Sequence, residues 1–156
     1  MKPAKFTLTG ARDERIMSLV GQTDQRVLAV WAKECAERVL PYFEKQFPND
    51  FRPRVALETL QKWIDTGEFK MSVIRKAALD AHGAARDTGE DNPARSAARS
   101  AGQAVATAHV ATHSAGAAIY ALQAVFRTVN PSKAGPLITS ESYWQYRRLL
   151  ELIVKQ

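Results

Sequence analysis

The chain has 156 residues, a formal net charge of +6 and 46% hydrophobic residues, which suits one globular domain with its own core. The single cysteine, Cys35, excludes an internal disulfide framework. No run approaches the roughly 18–20 apolar residues of a membrane span, and no secretory signal pattern opens the sequence. We therefore expect a cytoplasmic protein that has no membrane partner.

The positive charge is scattered along the chain. No block of five or more basic residues occurs, and the longest adjacent run is the pair Arg147-Arg148. Three arginines share one segment with four carboxylates: Arg86, Arg95 and Arg99 with Asp80, Asp87, Glu90 and Asp91. A protein surface that binds along a nucleic-acid backbone needs positive charge without interspersed negative charge. The sequence therefore predicts structural ion pairs in this segment and no nucleic-acid partner.

Apolar residues recur at helical spacing through the first half of the chain. Residues 1–10 are expected to form a loose arm, followed by a short helix at about 12–20 and a long one at 25–47. The next helix begins near Pro53 and ends at Gly67, and another covers about 70–88 before a stop at Gly89. Asn92-Pro93 is then typical of a new helix start.

The second half holds an apolar stretch too long for one helix. As a single helix, residues 94–129 would span about 54 Å, whereas a compact domain of this size is about 40 Å across. We expect a break at 111–114, with Thr112 capping the new start. A loop at 131–139 and a last helix capped by Ser140 complete a single all-α domain of about five or six helices.

Residues 77–124 are dominated by alanine and glycine. Alanine favours helix but buries little apolar area, so such helices must pack closely to be stable. The small residues, Gly102 among them, fit two arrangements: a helix central in its own bundle, or the interface of a homo-oligomer. The second arrangement is slightly favoured.

All three histidines, His82, His109 and His113, lie in this stretch. His109 and His113 are four residues apart, as in helical metal-binding pairs, but a site needs further ligands. A helical hairpin would place His82 level with about Arg99 and about 15 Å from His109, which separates His82 from the other two. A metal site would then have to be assembled between chains or by a different helix arrangement. No catalytic motif is present, so neither an enzyme nor a cofactor is expected.

Several short motifs follow one another in a characteristic order. They are WAKECAERVLPYFE from Trp31, RPR from Arg52, AHGAAR from Ala81, AARSAGQA from Ala97, TAH from Thr107, His113, and GAAIYA from Gly116. Together they resemble the Imm-5-like family of putative immunity proteins, which are small bacterial proteins. The resemblance covers roughly residues 30–124, and Trp144-Gln145 fits the end of the family pattern.

The resemblance implies a protein that binds and neutralises a cognate bacterial toxin and that has no catalytic residues. Packing or interface roles are predicted for five residues of the chain: Trp31, Arg86, Arg99, Gly102 and Tyr120. The positive net charge disfavours a basic nuclease as the toxin. The alternative is an oligomeric protein that binds a metal or a small ligand, with His82, His109 and His113 converging across subunits.

Overall fold

The computed structural model describes residues 5–155, and all regular structure in that range is helical. The helices are α1 (Glu14–Val20), α2 (Gln25–Gln46), α3 (Arg52–Thr66), α4 (Met71–Asp87), α5 (Pro93–Ala106), α6 (His113–Phe126) and α7 (Ala134–Val154), with a 3₁₀ turn at Pro131–Lys133. The predicted all-α fold is confirmed, with seven α-helices in the described residues instead of five or six.

The short α1 agrees with the helix expected at about 12–20. A seven-residue helix is unstable alone, so its formation depends on contacts with the rest of the bundle. Here the Asp13 carboxylate accepts a hydrogen bond from the Arg15 amide, and Ile16 and Val20 are buried. Tertiary packing against α6 and α7 therefore stabilises α1, whose helix propensity alone would not be sufficient.

Of the predicted loose arm, residues 1–4 lie outside the described residues. Residues 5–10 contain no helix. The Phe6 ring packs against Phe126 of α6 with 5.5 Å between the ring centroids, so this part of the arm lies on the bundle.

The helix boundaries in the first half agree with their sequence signals. Gly67 ends α3 in the left-handed conformation with φ at 70°, and Gly89 follows α4 with φ at 80°. The Asn92 side chain accepts a hydrogen bond from the Arg95 amide and caps α5, whose first turn contains Pro93.

A break separates α5 from α6, as predicted, but it covers residues 107–112 and so begins four residues before the predicted 111–114. The capping role predicted for Thr112 is wrong, because its side chain makes no cap hydrogen bond. Just after the end of α5, the carbonyls of Thr107 and Ala108 accept hydrogen bonds from Gln25 Nε2 at 2.9 and 3.1 Å. Such distant capping leaves no local sequence signal.

The predicted loop at 131–139 and the predicted cap at Ser140 are also wrong. Helix α7 already begins at Ala134, so Ser140 lies inside it. Pro136 falls in the first turn, where backbone amides have no intrahelical acceptor and proline is tolerated.

Helix α5 lies at the centre of the bundle and contacts α2, α3, α4 and α6. Five of its alanines are fully buried: Ala94, Ala97, Ala98, Ala101 and Ala104. The small residues of this helix therefore pack inside the chain's own bundle. Cys35 of α2 is also buried, and burial raises the pKa of its thiol. None of the helices in the described residues combines the length and hydropathy needed to cross a bilayer.

Trp31 joins three helices on the other side of the core. It is fully buried, and its Nε1 donates to the Gln145 carbonyl of α7 at 2.9 Å. The Gln145 Nε2 in turn donates to the Ala118 carbonyl of α6 at 2.9 Å. The predicted packing or interface residue Trp31 thus lies inside the chain.

Trp31→Phe is expected to lower the free energy of unfolding by about 2–3 kcal/mol, because it removes a buried hydrogen bond and leaves a void. Chemical denaturation measures the change. The matched control is Trp63→Phe, since Trp63 is only partly buried, and it is expected to lose less than about 1.5 kcal/mol. Equal losses would show that the indole hydrogen bond contributes nothing.

Candidate functional site

Three glycines on successive helices each receive a polar side chain from the helix before. The position of an added Cβ lies 2.7–3.2 Å from a side-chain atom in each case: Arg52 Nη1 at Gly83, His82 Nε2 at Gly102 and Gln103 Oε1 at Gly116. Real Cβ atoms almost never approach other atoms as closely as 2.7 Å. Gly102 and Gly116 therefore admit polar groups where alanine would collide, whereas at Gly83 the Arg52 guanidinium would have to shift only slightly.

A partly exposed strip of α5, which carries Arg99 and Gln103, lies between α4 and α6. We call this region the α5 groove and define it by six side chains: His82 and Arg86 of α4, Arg99 and Gln103 of α5, and His113 and Tyr120 of α6. Gly102 forms its floor beneath the His82 ring. Six of the eight residues that the sequence singles out lie here. They are Gly102 and five of the defining side chains: His82, Arg86, Arg99, His113 and Tyr120.

His82 is the most perturbed group of the groove. Burial, followed by the charges of Arg99 and Arg86, lowers its pKa from 6.5 to about 4. The ring is therefore neutral at pH 7. Its Nδ1 is buried and has no hydrogen-bond partner among the described residues, whereas Nε2 is not fully buried.

His113 is held by a hydrogen bond within the groove. Its Nδ1 lies 2.8 Å from Oε1 of Gln103. Because a carboxamide oxygen only accepts, the proton is assigned to Nδ1. Burial lowers the pKa of His113.

The structure brings His82 and His113 together, close enough for a charge on His113 to lower the pKa of His82. The expected separation of these two histidines is wrong, because the turn at 107–112 sends α6 back along α5. His109 lies outside the groove, exposed and stacked on Phe69 with 6.2 Å between ring centroids. In residues 5–155 no group of three or more His, Cys, Asp or Glu side chains is arranged to hold a metal ion.

The arginines of this region differ from one another. Arg95 forms the predicted ion pair, with Nη1 3.0 Å from Asp91. For Arg86 and Arg99 the predicted ion pairs are absent from the described part of the chain. The carboxylates near them are bound elsewhere: Asp80 by Lys76, Asp87 by Arg52, and Asp91 by Arg95 and Arg127. Arg99 is half-buried on α5.

A second surface lies on α7 and the facing part of α2. We call it the α7 face and define it by Arg38, Tyr42, Tyr143, Trp144 and Arg147, which line one shallow depression. The Arg38 guanidinium lies 3.9 Å from the Trp144 ring centroid and binds Glu141 at 2.6 Å. Arg147 donates to the Tyr143 hydroxyl at 3.1 Å. In the sequence, this face is indicated by the spacing of four residues between Tyr143 and Arg147.

With this geometry established, the chain can be compared with known proteins. Residues 18–152 match the family described as Imm-5 like putative immunity protein. The chain belongs to that family. No curated protein and no solved structure matches the chain.

The motifs by which this Imm-5 like protein resembles its family converge in space. Arg52 of the RPR motif contacts the position of a Cβ on Gly83 of the AHGAAR motif. His82 of AHGAAR in turn lies against Gly102 of the AARSAGQA motif. Tyr120 lies on α6 at the other side of the groove and is partly exposed. The spaced motifs thus describe one packed set of helices.

Gly102→Ala is expected to push the His82 ring out of the groove floor and to raise its pKa from about 4 toward 6.5. An NMR titration of the ring measures this shift. The matched control is Gly135→Ala, because nothing lies within 4 Å of a Cβ there. This control is expected to leave the His82 pKa unchanged. An unchanged pKa in Gly102→Ala would contradict the contact.

His82 is also expected to make stability depend on pH. Its folded pKa lies below the unfolded value of 6.5, so the unfolded chain binds the proton first and stability falls as pH drops from about 6.5 to 4. Partial exposure screens the effect, which we expect to be about 1–2 kcal/mol. Denaturation of wild type and His82→Asn across this window measures it. Parallel pH profiles for the two proteins would refute the assignment.

Proposed function

We propose that this protein is a cytoplasmic immunity protein, which binds a cognate bacterial toxin and neutralises it by steric occlusion without catalysis. Family membership supports the assignment. The observation that carries it is the α7 face, an exposed cluster of aromatic and arginine side chains. Tyr143 is 51% exposed and Tyr42 is 37% exposed.

The composition of the α7 face suits a protein partner. Trp, Tyr and Arg are the residues that most often dominate binding energy at protein interfaces. Arg38 is already ordered by stacking on Trp144 and by pairing with the largely buried Glu141. Ordering these side chains before binding reduces the entropy lost on association.

The net charge of the chain favours a partner surface that is acidic or neutral, whereas the depression on the α7 face holds two carboxylates, Glu141 and Glu151, beside its two arginines. Arg147 is exposed and makes its hydrogen bond to a tyrosine hydroxyl and not to a carboxylate. The whole chain carries a net charge of +6. Charge complementarity therefore supports a toxin whose contact surface is not basic.

The proposal is tested by expressing each open reading frame beside this gene in a bacterial host, alone and together with this chain. One of the products should arrest growth alone and be tolerated in the presence of this chain. Binding of the purified pair should then weaken at least about tenfold in Arg147→Glu. The matched control is Arg75→Glu, an exposed arginine of α4, which should bind as wild type. A toxin bound equally by both variants would move the contact away from the α7 face. No protection against any neighbouring product would overturn the function.

Self-association is proposed separately. The buried alanines of α5 are explained within one chain, so the support for self-association lies elsewhere. Val73 is 48% exposed and lines a depression with Trp63, and Phe69 is 45% exposed and stacks on His109. Such apolar surface is a candidate interface. Light scattering is expected to give an oligomer mass that falls toward the monomer in Val73→Glu. A monomer mass for wild type would overturn this proposal.

A further inference from the structure

A second depression adjoins the α7 face on the other side of Tyr143. We call it the arm depression, because residues 10–13, which lead from the N-terminal arm into α1, line it opposite α7. Its volume is about 840 Å³, compared with about 560 Å³ for the depression of the α7 face. Ser140 and Tyr143 line both depressions. The two depressions therefore form one continuous surface, with the 51% exposed Tyr143 at their boundary.

The arm depression has an apolar floor. Leu122 of α6 is buried beneath it, and Pro136 and Ile138 of α7 contribute further apolar surface. The hydroxyl groups of Thr139 and Ser142 lie on the same side. Apolar surface with a few polar groups is typical of binding sites. The volume of about 840 Å³ is sufficient for a short protruding segment of a partner protein.

The arm depression also carries one positive charge that has no partner. It holds Arg12, Arg15 and a single carboxylate, Asp13. Asp13 is bound by Arg15, whose Nη2 donates to Oδ2 at 3.1 Å and whose amide donates to Oδ1 at 2.9 Å. No ion pair within residues 5–155 joins the exposed Arg12 to a carboxylate. Other arginines without an ion pair, such as Arg26, line neither depression.

Contacts between arginines and aromatic rings order the walls of both depressions. The Arg15 guanidinium lies 4.6 Å from the centroid of the Tyr146 ring. The Arg38 guanidinium lies 3.9 Å from the centroid of the Trp144 ring. These attractive contacts restrict long side chains before a partner arrives, which reduces the entropy lost on binding. Ordered arginine–aromatic surface thus continues from α2 across α7 to α1.

We propose that the arm depression is the second half of the toxin contact and receives an acidic segment of the toxin that also carries an apolar side chain. The apolar side chain packs against Leu122 and Ile138, and the carboxylate lies against Arg12. This inference rests on the proposed immunity function and adds the kind of toxin surface that is recognised. The net charge of +6 favours an acidic partner. The depression of the α7 face holds two arginines and two carboxylates, so the arm depression is the better place for an acidic group.

The probe is the neighbouring gene product that arrests growth alone and is tolerated in the presence of this chain. Arg12→Glu is expected to lower the association rate of the purified pair about three- to tenfold, because an exposed interface charge acts mainly on encounter. The difference should shrink as salt is added. The matched control is Arg26→Glu, at an exposed position of α2 outside both depressions, which should associate as wild type.

Ile138→Glu tests the apolar floor and is expected to raise the dissociation rate at least about tenfold. The matched control is Leu79→Glu, since Leu79 is an exposed apolar residue of α4 that lines neither depression, and it should dissociate as wild type. Thr139→Arg guards against a folding defect in Ile138→Glu. It places a large charged side chain at an exposed position of the arm depression and should have the same effect on dissociation.

The outcomes separate this inference from the function on which it rests. A toxin that is bound less tightly by Arg147→Glu, but as in wild type by the Arg12, Ile138 and Thr139 variants, would confine the contact to the α7 face and overturn the inference alone. Equal losses in Arg12→Glu and Arg26→Glu would show a general charge effect and overturn the acidic segment. If this chain neutralises no neighbouring product, the proposed function fails and the inference fails with it.

Discussion

The bundle depends on how closely α5 approaches the helices around it. Alanine contributes little apolar area, so α5 is stabilised by contact on nearly every side and not by large side chains. Glycines at 83, 102 and 116 extend the same closeness to polar groups, since atoms of Arg52, His82 and Gln103 lie 2.7–3.2 Å from the position that an added Cβ would take. Close packing and the placement of polar side chains are thus one and the same constraint.

That constraint accounts for both surfaces considered above. Because α5 is central, its one partly exposed strip becomes the floor of a groove between α4 and α6. The sides of α5 are covered by α2, α3, α4 and α6, and α7 packs on α2 and α6 through Trp31 and Gln145. Its outer side carries Tyr143 and Arg147. The two surfaces are therefore built on different helices and can be altered independently.

The sequence was sufficient for features set by local chemistry. Proline, asparagine and glycine near residues 53, 67 and 92 mark true helix ends, and helix length against domain size locates the break after α5. The failures share a different cause. Gln25 caps a helix more than 80 positions away along the chain, and His113 returns to His82 only because α6 folds back. The carboxylates expected to pair with Arg86 and Arg99 bind other arginines: Asp87 binds Arg52, and Asp91 binds Arg95 and Arg127. Sequence spacing cannot show which of several arginines a carboxylate will bind.

The contacts between glycines and polar side chains also restrict how this protein can change over generations. A Cβ at residue 102 collides with the His82 ring, and one at residue 116 collides with Gln103. A mutation at either glycine is therefore tolerated best once its partner has become smaller. His82 lies beside Gly83 on α4, and Gln103 lies beside Gly102 on α5, so each partner residue is next to a glycine that makes another of these contacts. A replacement of His82 or Gln103 therefore disturbs a neighbouring pair. Sequence drift in these three helices should proceed by linked replacements and leave covarying pairs in place of independently variable sites.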